Sequence, residues 1–370
     1  MVFDIVRKNE LSRTGVLHTR KGDLATPFFM PDATRASVRG LTVEQLKSVG
    51  VLPMVVNTYH LYLQPGMELM QKAGGVHAFM QWDGPLLSDS GGYQVYSLIH
   101  KNAQMGKITE EGAVFKSVLD GSQHLLTPEK AIQIQFDLGV DMMVLLDDPR
   151  PNDSSREVFA SAVGRTVRWA RRCKEEFERQ IVARGLTDVT RPLLFGVVQG
   201  GPYFDLRQEC AEGLVAVGCD GYSFGGRHVD MEGNFMEEMV TKTASFIPEH
   251  APRFALGIGT PEDIVRCHNA GWDLFDCVIP TREGRHGRLF VRKTAKVKSG
   301  QDFYKAINIS NVQHREDFTP IDPTCDCYAC TNYTRAYIQH LFRVKEPLGA
   351  QMAALHNLRF FMRLMEDLRQ

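Results

Sequence analysis

The stretch "LLFGVVQGGPYFDLRQECAEGLVAVGCDGYSFGG" (Leu193 to Gly226) carries the unit from which the fold follows. An apolar run, LLFGVV, ends in Gln199-Gly200-Gly201. An amphipathic helical pattern comes next and closes on Gly218, as a helix C-terminus should. A second apolar run, GYSF, then ends in Gly225-Gly226. Near-continuous apolar strands alternating with helices mark a parallel sheet covered by helices. The rhythm extends in both directions: "TPFFMPDAT", "PMVVNTYH", "PLLSDSGG" and "MMVLLDD" precede this unit, and "FALGIG" and "LFDCVIPT" follow it. Eight such units predict a closed (β/α)8 barrel of the TIM type. A doubly wound open sheet is the alternative, and the strand count disfavours it.

Three segments fall outside the repeat. "LSRTGVLHTRKGDLATP" predicts a hairpin or small antiparallel sheet before the first barrel strand. "KITEEGAVFKSVLDGSQHLLTPE" predicts a second hairpin, with Asp120-Gly121 at its turn, inserted after the third strand. From about Gln301 a cysteine cluster and helical stretches predict a subdomain docked on the barrel. The expected division is therefore 1–300 for the barrel with its insertions and 301–370 for a zinc-binding subdomain with the C-terminal helices. A length of 370 residues suffices for a large core, and 43% hydrophobic with 24% charged residues describes an ordinary globular chain. The start, "MVFDIVRKNE", lacks a signal pattern, and no apolar run is long enough to span a bilayer, so a cytoplasmic location without membrane contact is expected. A formal net charge of -1 gives no global reason to bind nucleic acid; any such binding needs a local patch.

In a barrel of this type chemistry sits where strands end. The strand ends here supply Asn57, Asp89, Asp147, Asp148, Gln199, Gly225, Gly226 and Asp276. An Asp after a strand also caps the helix that follows. Asp276, however, precedes further apolar residues rather than a helix pattern. Several carboxyls converging on one mouth repel each other, which raises the pKa of at least one and suits a general acid/base beside an ionised nucleophile. Around Asp89, Ser90, Gly91 and Gly92 allow a ligand close to the backbone, and Tyr93 offers a ring on which a planar base stacks. Asp147 accepts from ring N–H and amine groups, whereas Gln199 and the Gly225-Gly226 backbone donate to a carbonyl. That is the hydrogen-bond complement of a guanine-like edge.

The last candidate strand runs directly into charge. From Arg282 to Lys298 there are seven Lys or Arg against one acid, Glu283. A polyanion lying across the mouth fits this run, with Arg282 and Arg285 near enough to the strand end to reach bases. Eight cysteines are too few for a disulfide scaffold, yet three cluster in "CDCYAC". Cys325, Cys327 and Cys330 with His356 make a closed tetrahedral set for one structural zinc ion; His340 is the alternative fourth ligand.

With these residues in view, the chain resembles the tRNA-guanine transglycosylases, also called queuine tRNA-ribosyltransferases. The similarity rests on "SDSGGYQV", "VVQGG", "GYSFGG", "LFDCVIPTREGRHG" and "CDCYAC...HNLRFF", and covers nearly the whole chain. It implies a (β/α)8 barrel with a zinc subdomain and a homodimer that binds the anticodon arm of tRNA. It also implies exchange of the wobble guanine for a 7-deazaguanine base, preQ1 or queuine. By this resemblance Asp276 is the nucleophile at the ribose C1' and Asp89 the general acid/base. Asp147, Gln199, Gly226 and Ser90 meet the base, with Tyr93 and Leu256 on either face of the ring. Asn57 and Gln94 orient the carboxylates, and Arg282 and Arg285 contact neighbouring bases.

The chain departs from the family pattern at Asp32, Pro149, Arg227 and Met231, so the identity of the incoming base does not follow from the resemblance. Two other functions share parts of this pattern. A TIM-barrel glycoside hydrolase also uses paired carboxyls but leaves the basic run unexplained. A non-catalytic RNA-binding subunit has no need for both Asp89 and Asp276.

Overall fold

The structure is a computed structural model that describes residues 2–297 and 300–370; Lys298, the last cation of the basic run, lies outside the described residues. Eight parallel strands form one sheet: β1 (Phe28–Pro31), β2 (Met54–Asn57), β3 (Leu86–Asp89), β4 (Met142–Val144), β5 (Leu193–Val198), β6 (Gly221–Phe224), β7 (Arg253–Ala255) and β8 (Leu274–Cys277). Their order is β1-β8-β7-β6-β5-β4-β3-β2. The two ends meet through a bridge between Asp32 and Val55, where the Ala33 N–H donates to the Val55 carbonyl at 2.7 Å. The sheet thus closes on itself as the eight apolar runs predict, and the open alternative is excluded.

Side chains alternate across a strand, so every second residue points into the barrel. Met30, Val55, Leu87, Val197, Phe254 and Leu274 belong to the buried interior cluster, which is separate from the larger one between sheet and helices. Two residues beyond them along the chain stand Asp32, Asn57, Asp89, Gln199, Leu256 and Asp276. The apolar filling therefore gives way, on the same inward face, to a polar layer at the C-terminal mouth.

The other end is plugged. An antiparallel sheet of Phe3–Asn9, Ser12–Thr19 and Gly22–Thr26 sets Phe3, Leu17 and Leu24 against the interior cluster. Beneath it the Arg13 guanidinium, 2% exposed, binds both oxygens of Asp273 at 2.9 and 2.5 Å and the Ala251 carbonyl at 2.7 Å. Asp273 immediately precedes β8, so this enclosed pair anchors the strand that carries Asp276. Removing one partner of such a pair costs roughly 3–5 kcal/mol.

The second insertion has three strands rather than two: Gly106–Ile108, Ala113–Lys116 and Gln123–Leu126. The three-residue first strand is too short to show an alternating pattern, which is why only a hairpin is legible in the sequence. Asp120-Gly121 lies in its turn as expected, with Gly121 at φ +76°.

After β8 the chain does not stay irregular. A helix, Ile279–Arg285, starts at once with Pro280 in its first turn, followed by a hairpin of Arg288–Arg292 and Tyr304–Asn308. Pro pre-set to helical φ begins a helix readily, and this explains a helix where the apolar residues after Asp276 suggested none. The long C-terminal helix Pro347–Leu368 packs on it: a Cβ at Gly284 would lie 2.7 Å from the Ala354 Cα. Phe361 of the long helix meets Phe29 of β1 with ring centroids 4.9 Å apart. Among the described residues no helix is long and apolar enough to cross a membrane.

Candidate active site

Asp89 and Asp276 both end up at the mouth, on β3 and β8. Asp89 Oδ1 accepts from the Thr58 and Gly91 N–H groups, each at 3.1 Å, and its Oδ2 accepts from Asn57 Nδ2 at 2.5 Å. Asn57 is itself locked, because its Oδ1 caps the next helix by accepting the His60 N–H at 3.0 Å. Gly91 supplies its N–H from φ +78°, and a Cβ there would lie 3.0 Å from the Tyr59 backbone nitrogen. Burial pushes the Asp89 carboxyl up to about 7, against those N–H bonds and with help from the charges of Asp276 and Asp32. Among the described residues Asp276 Oδ1 accepts only the Gly257 N–H, at 2.6 Å, and burial, with Asp32, raises it to about 7 as well. Asp32 is thus a third acid of this mouth, close enough to act on both.

The opposite wall pairs Asp147 and Gln199. Both are buried, with Gln199 Nε2 donating to Asp147 Oδ2 at 2.7 Å. Burial first, then the nearby Asp148, raises Asp147 to about 6. Asp148 is not a mouth residue. It is fully enclosed on the outer side, bonded to Arg150 and Arg165 at 2.6 and 2.5 Å. Gly225 does not offer a free donor either, since its N–H is bound to the Val198 carbonyl at 3.0 Å. Only Gly226, exposed at φ +84°, keeps an N–H that bonds to none of the described residues. Gly91 and Gly92 likewise serve packing rather than an open approach: a Cβ at Gly92 would lie 2.8 Å from Leu146.

Ser90 is buried, and its hydroxyl accepts the Gly92 N–H at 3.2 Å. Tyr93 stands 64% exposed one turn from Asp89, and Leu256 is half-buried at the end of β7. The structure does not bring Gln94 to a carboxylate; its buried Oε1 has no hydrogen-bond partner among the described residues. Of the departures, Pro149 is buried beside Asp148, whereas Arg227 and Met231 are exposed on the loop after β6.

The basic run divides in two. Arg282 and Arg288 are more than half exposed, and among the described residues each has Glu283 as its ion-pair partner, at 3.6 and 3.8 Å. Arg285 makes no ion pair among the described residues, and burial with the charges of Arg39 and Arg282 lowers its pKa. Arg292, in contrast, is tied inside to Asp367 at 2.6 Å and cannot face a polyanion. Two exposed cations after β1, Arg35 and Arg39, extend the rim instead. Their place directly after a strand end was the available signal; their wide spacing hid it.

Cys325, Cys327, Cys330 and His356 come together, all buried, with their ligand atoms within 4.8 Å of one another. His356 Nε2 donates to the Phe290 carbonyl at 2.8 Å, which leaves Nδ1 as the acceptor facing Cys330 and Cys327 Sγ at 3.2 and 3.8 Å. A fixed tautomer and three sulfurs at this spacing fit a tetrahedral metal ion. His340 is exposed on another helix and is not part of the set.

A closed parallel barrel with two perturbed carboxyls facing an acid–amide pair defines a (β/α)8-barrel enzyme with its site in the C-terminal mouth. Comparison with known proteins narrows this. The family model described as queuine tRNA-ribosyltransferase matches residues 8–370. Curated proteins named queuine tRNA-ribosyltransferase are similar along nearly their whole length. The one from Halothermothrix orenii is 45% identical, covering 98% of this chain and 90% of the relative. That from Pelotomaculum thermopropionicum is 43% identical over 99% and 93%. One from Staphylococcus aureus is 41% identical over 98% and 89%. The chain belongs to the queuine tRNA-ribosyltransferase family.

Proposed function

We propose that this chain is a tRNA-guanine transglycosylase that replaces the wobble guanine of G-U-N anticodon tRNAs by a 7-deazaguanine base, preQ1 or queuine. The observation that carries this is the pair Asp89 and Asp276, both raised to about 7 in one barrel mouth, in a chain of this family. Two carboxyls raised by burial in one mouth are each partly protonated near neutrality, so one serves as nucleophile while the other manages protons. Asp276, held by a single N–H, attacks C1' of the ribose. The C1'–N bond to guanine breaks as the C1'–O bond to Asp276 forms. Asp89, held by three donors, gives its proton to the nitrogen of the leaving guanine and then, ionised, takes the proton from the incoming base, whose nitrogen displaces Asp276. Splitting the displacement in two is the logic of covalent catalysis, and the same groups serve both halves. Asp147, Gln199, Gly226 and Ser90 read the base edge, and Tyr93 and Leu256 cover its faces.

In the same reading the Cys3His set holds one structural zinc ion, and the chain acts in the cytoplasm as a homodimer on the anticodon arm. Labelled guanine is expected to enter tRNAs with G-U-N anticodons and not transcripts lacking the wobble guanine. Release of free guanine without incorporation would instead indicate a hydrolase.

Arg282 and Arg285 are assigned to the RNA. Replacing both by Ala should weaken tRNA binding and flatten its dependence on log salt by roughly 1.4, the value for two lost contacts to a single strand. Binding of free guanine should not change. An unaltered salt slope in filter binding would remove both arginines from the interface.

A further inference from the structure

The acid–amide wall rests on a buried cation that the exchange chemistry does not use. Arg207, in the first turn of the helix Phe204–Val217, is fully enclosed and makes no ion pair among the described residues. Its guanidinium lies over the Phe224 ring, 4.2 Å from the centroid, and donates to three backbone carbonyls. Nε reaches Gly201 at 2.8 Å, Nη1 reaches Val198 at 3.3 Å and Nη2 reaches Gly225 at 3.1 Å. Burying a guanidinium without a carboxylate is costly, and an apolar residue would fill the space more cheaply. The three carbonyls explain why a cation is kept.

They close the ends of β5 and β6, the strands that lead into Gln199 and Gly226. Peptide planarity turns a fixed carbonyl into a fixed N–H, because the two point opposite ways from one rigid unit. The Gly225 carbonyl shares its peptide with the Gly226 N–H, so a bond from Arg207 on the carbonyl aims that N–H away from the guanidinium. The Val198 carbonyl shares its peptide with the Gln199 N–H, which rests on Cys210 Sγ at 3.3 Å. The Gln199 amide in turn packs directly against Gly225: a Cβ there would sit 2.6 Å from Gln199 Nε2. One buried group therefore sets both peptides from behind.

We propose that Arg207 is a positioning residue for base recognition. It holds the 198–199 and 225–226 peptides so that the second Gln199 N–H and the Gly226 N–H form a ready donor edge for the carbonyl of the bound base. This rests on the transglycosylase reading, and wild-type incorporation of labelled guanine checks that reading separately. The probe for Arg207 is a pair of bases, guanine and 2-aminopurine; the second lacks the carbonyl and, with it, the N1–H that meets Asp147, so the readout is the change each base suffers between wild type and variant. Wild-type enzyme is expected to bind guanine more tightly. In Arg207→Lys, whose ammonium cannot span three carbonyls, guanine affinity and the KM for the base should worsen about tenfold, the equivalent of one hydrogen bond. Affinity for 2-aminopurine and the KM for tRNA should stay within about twofold. Should the lysine variant not fold, Arg207→Gln, which keeps one carbonyl bond, gives the same comparison. A uniform loss for both bases together with a lowered melting temperature would overturn the proposal and leave Arg207 a purely structural group.

Discussion

Asp276→Asn should lose base exchange by at least ~10³-fold and form no RNA adduct that survives denaturation. Asn keeps the shape, and its carbonyl oxygen can still accept the Gly257 N–H that Asp276 accepts at 2.6 Å. What it loses is the charge that forms the bond to C1'. A purely structural acid would behave differently, and the sign of the stability change separates the two. The Asp276 carboxyl is raised in the fold to about 7, chiefly by burial. A carboxyl raised above its unfolded value opposes folding when it is ionised. That penalty grows as pH rises through the interval from the unfolded value, roughly 4, to about 7, and stays in full above it. Asn removes the penalty. The variant should therefore be at least as stable as wild type at pH 8, with the advantage fading as pH falls toward 4. Wild-type exchange should also decline below about pH 7 as Asp276 takes up a proton. A denaturation-resistant adduct in the Asn variant would move the nucleophile to Asp89 or Asp32, the two mouth acids whose charges act together with that of Asp276.

The barrel and its polar layer were legible because each depends on local pattern. Apolar runs reveal buried parallel strands, and the two-residue period carries the inward face from Leu274 to Asp276 and from Leu87 to Asp89. Pairing between elements distant in sequence leaves no such trace. Asp148 and Asp147 look alike in the sequence, yet Arg165, seventeen positions on and in a different element, takes Asp148 out of the mouth. The same holds for Arg292, whose partner Asp367 is on the last helix, and for Gly225, whose N–H is bound to the end of the neighbouring strand. Arg207 was invisible for a further reason: its partners are carbonyls, which every residue has. Cys325, Cys327 and Cys330 were readable from spacing alone. His356 is far from them in sequence, and the last helix brings it back to the three sulfurs.

Disrupting the metal set should weaken the RNA grip while sparing the nucleophile. His356 and Asn357 are adjacent on the helix Pro347–Leu368, and both are completely buried. While His356 faces the sulfurs, the Asn357 side chain accepts the Phe290 N–H at 3.1 Å and donates to the Pro280 and Arg288 carbonyls at 3.0 and 2.9 Å. Pro280 lies in the first turn of the helix that bears Arg282 and Arg285, and Arg288 opens the strand that follows it. Without an ion the three sulfurs and His356 Nδ1 are enclosed with one another as partners, and structural zinc sites supply on the order of 10 kcal/mol in small modules. Here the interior of the barrel and the Arg13–Asp273 anchor of β8 do not touch the metal set, so the damage should be local. Cys330→Ser, or treatment with a chelator, is expected to abolish stoichiometric metal. Backbone hydrogen exchange should quicken from Ile279 onward but not in β3 or the N-terminal sheet. The KM for tRNA should rise about tenfold or more, while free guanine binds as before, because Asp147 and Gln199 sit on the far strands β4 and β5. Metal-free protein with unchanged exchange in the C-terminal helix would separate the Cys3His set from this linkage, and equal losses in tRNA and guanine binding would show that the barrel itself depends on the ion.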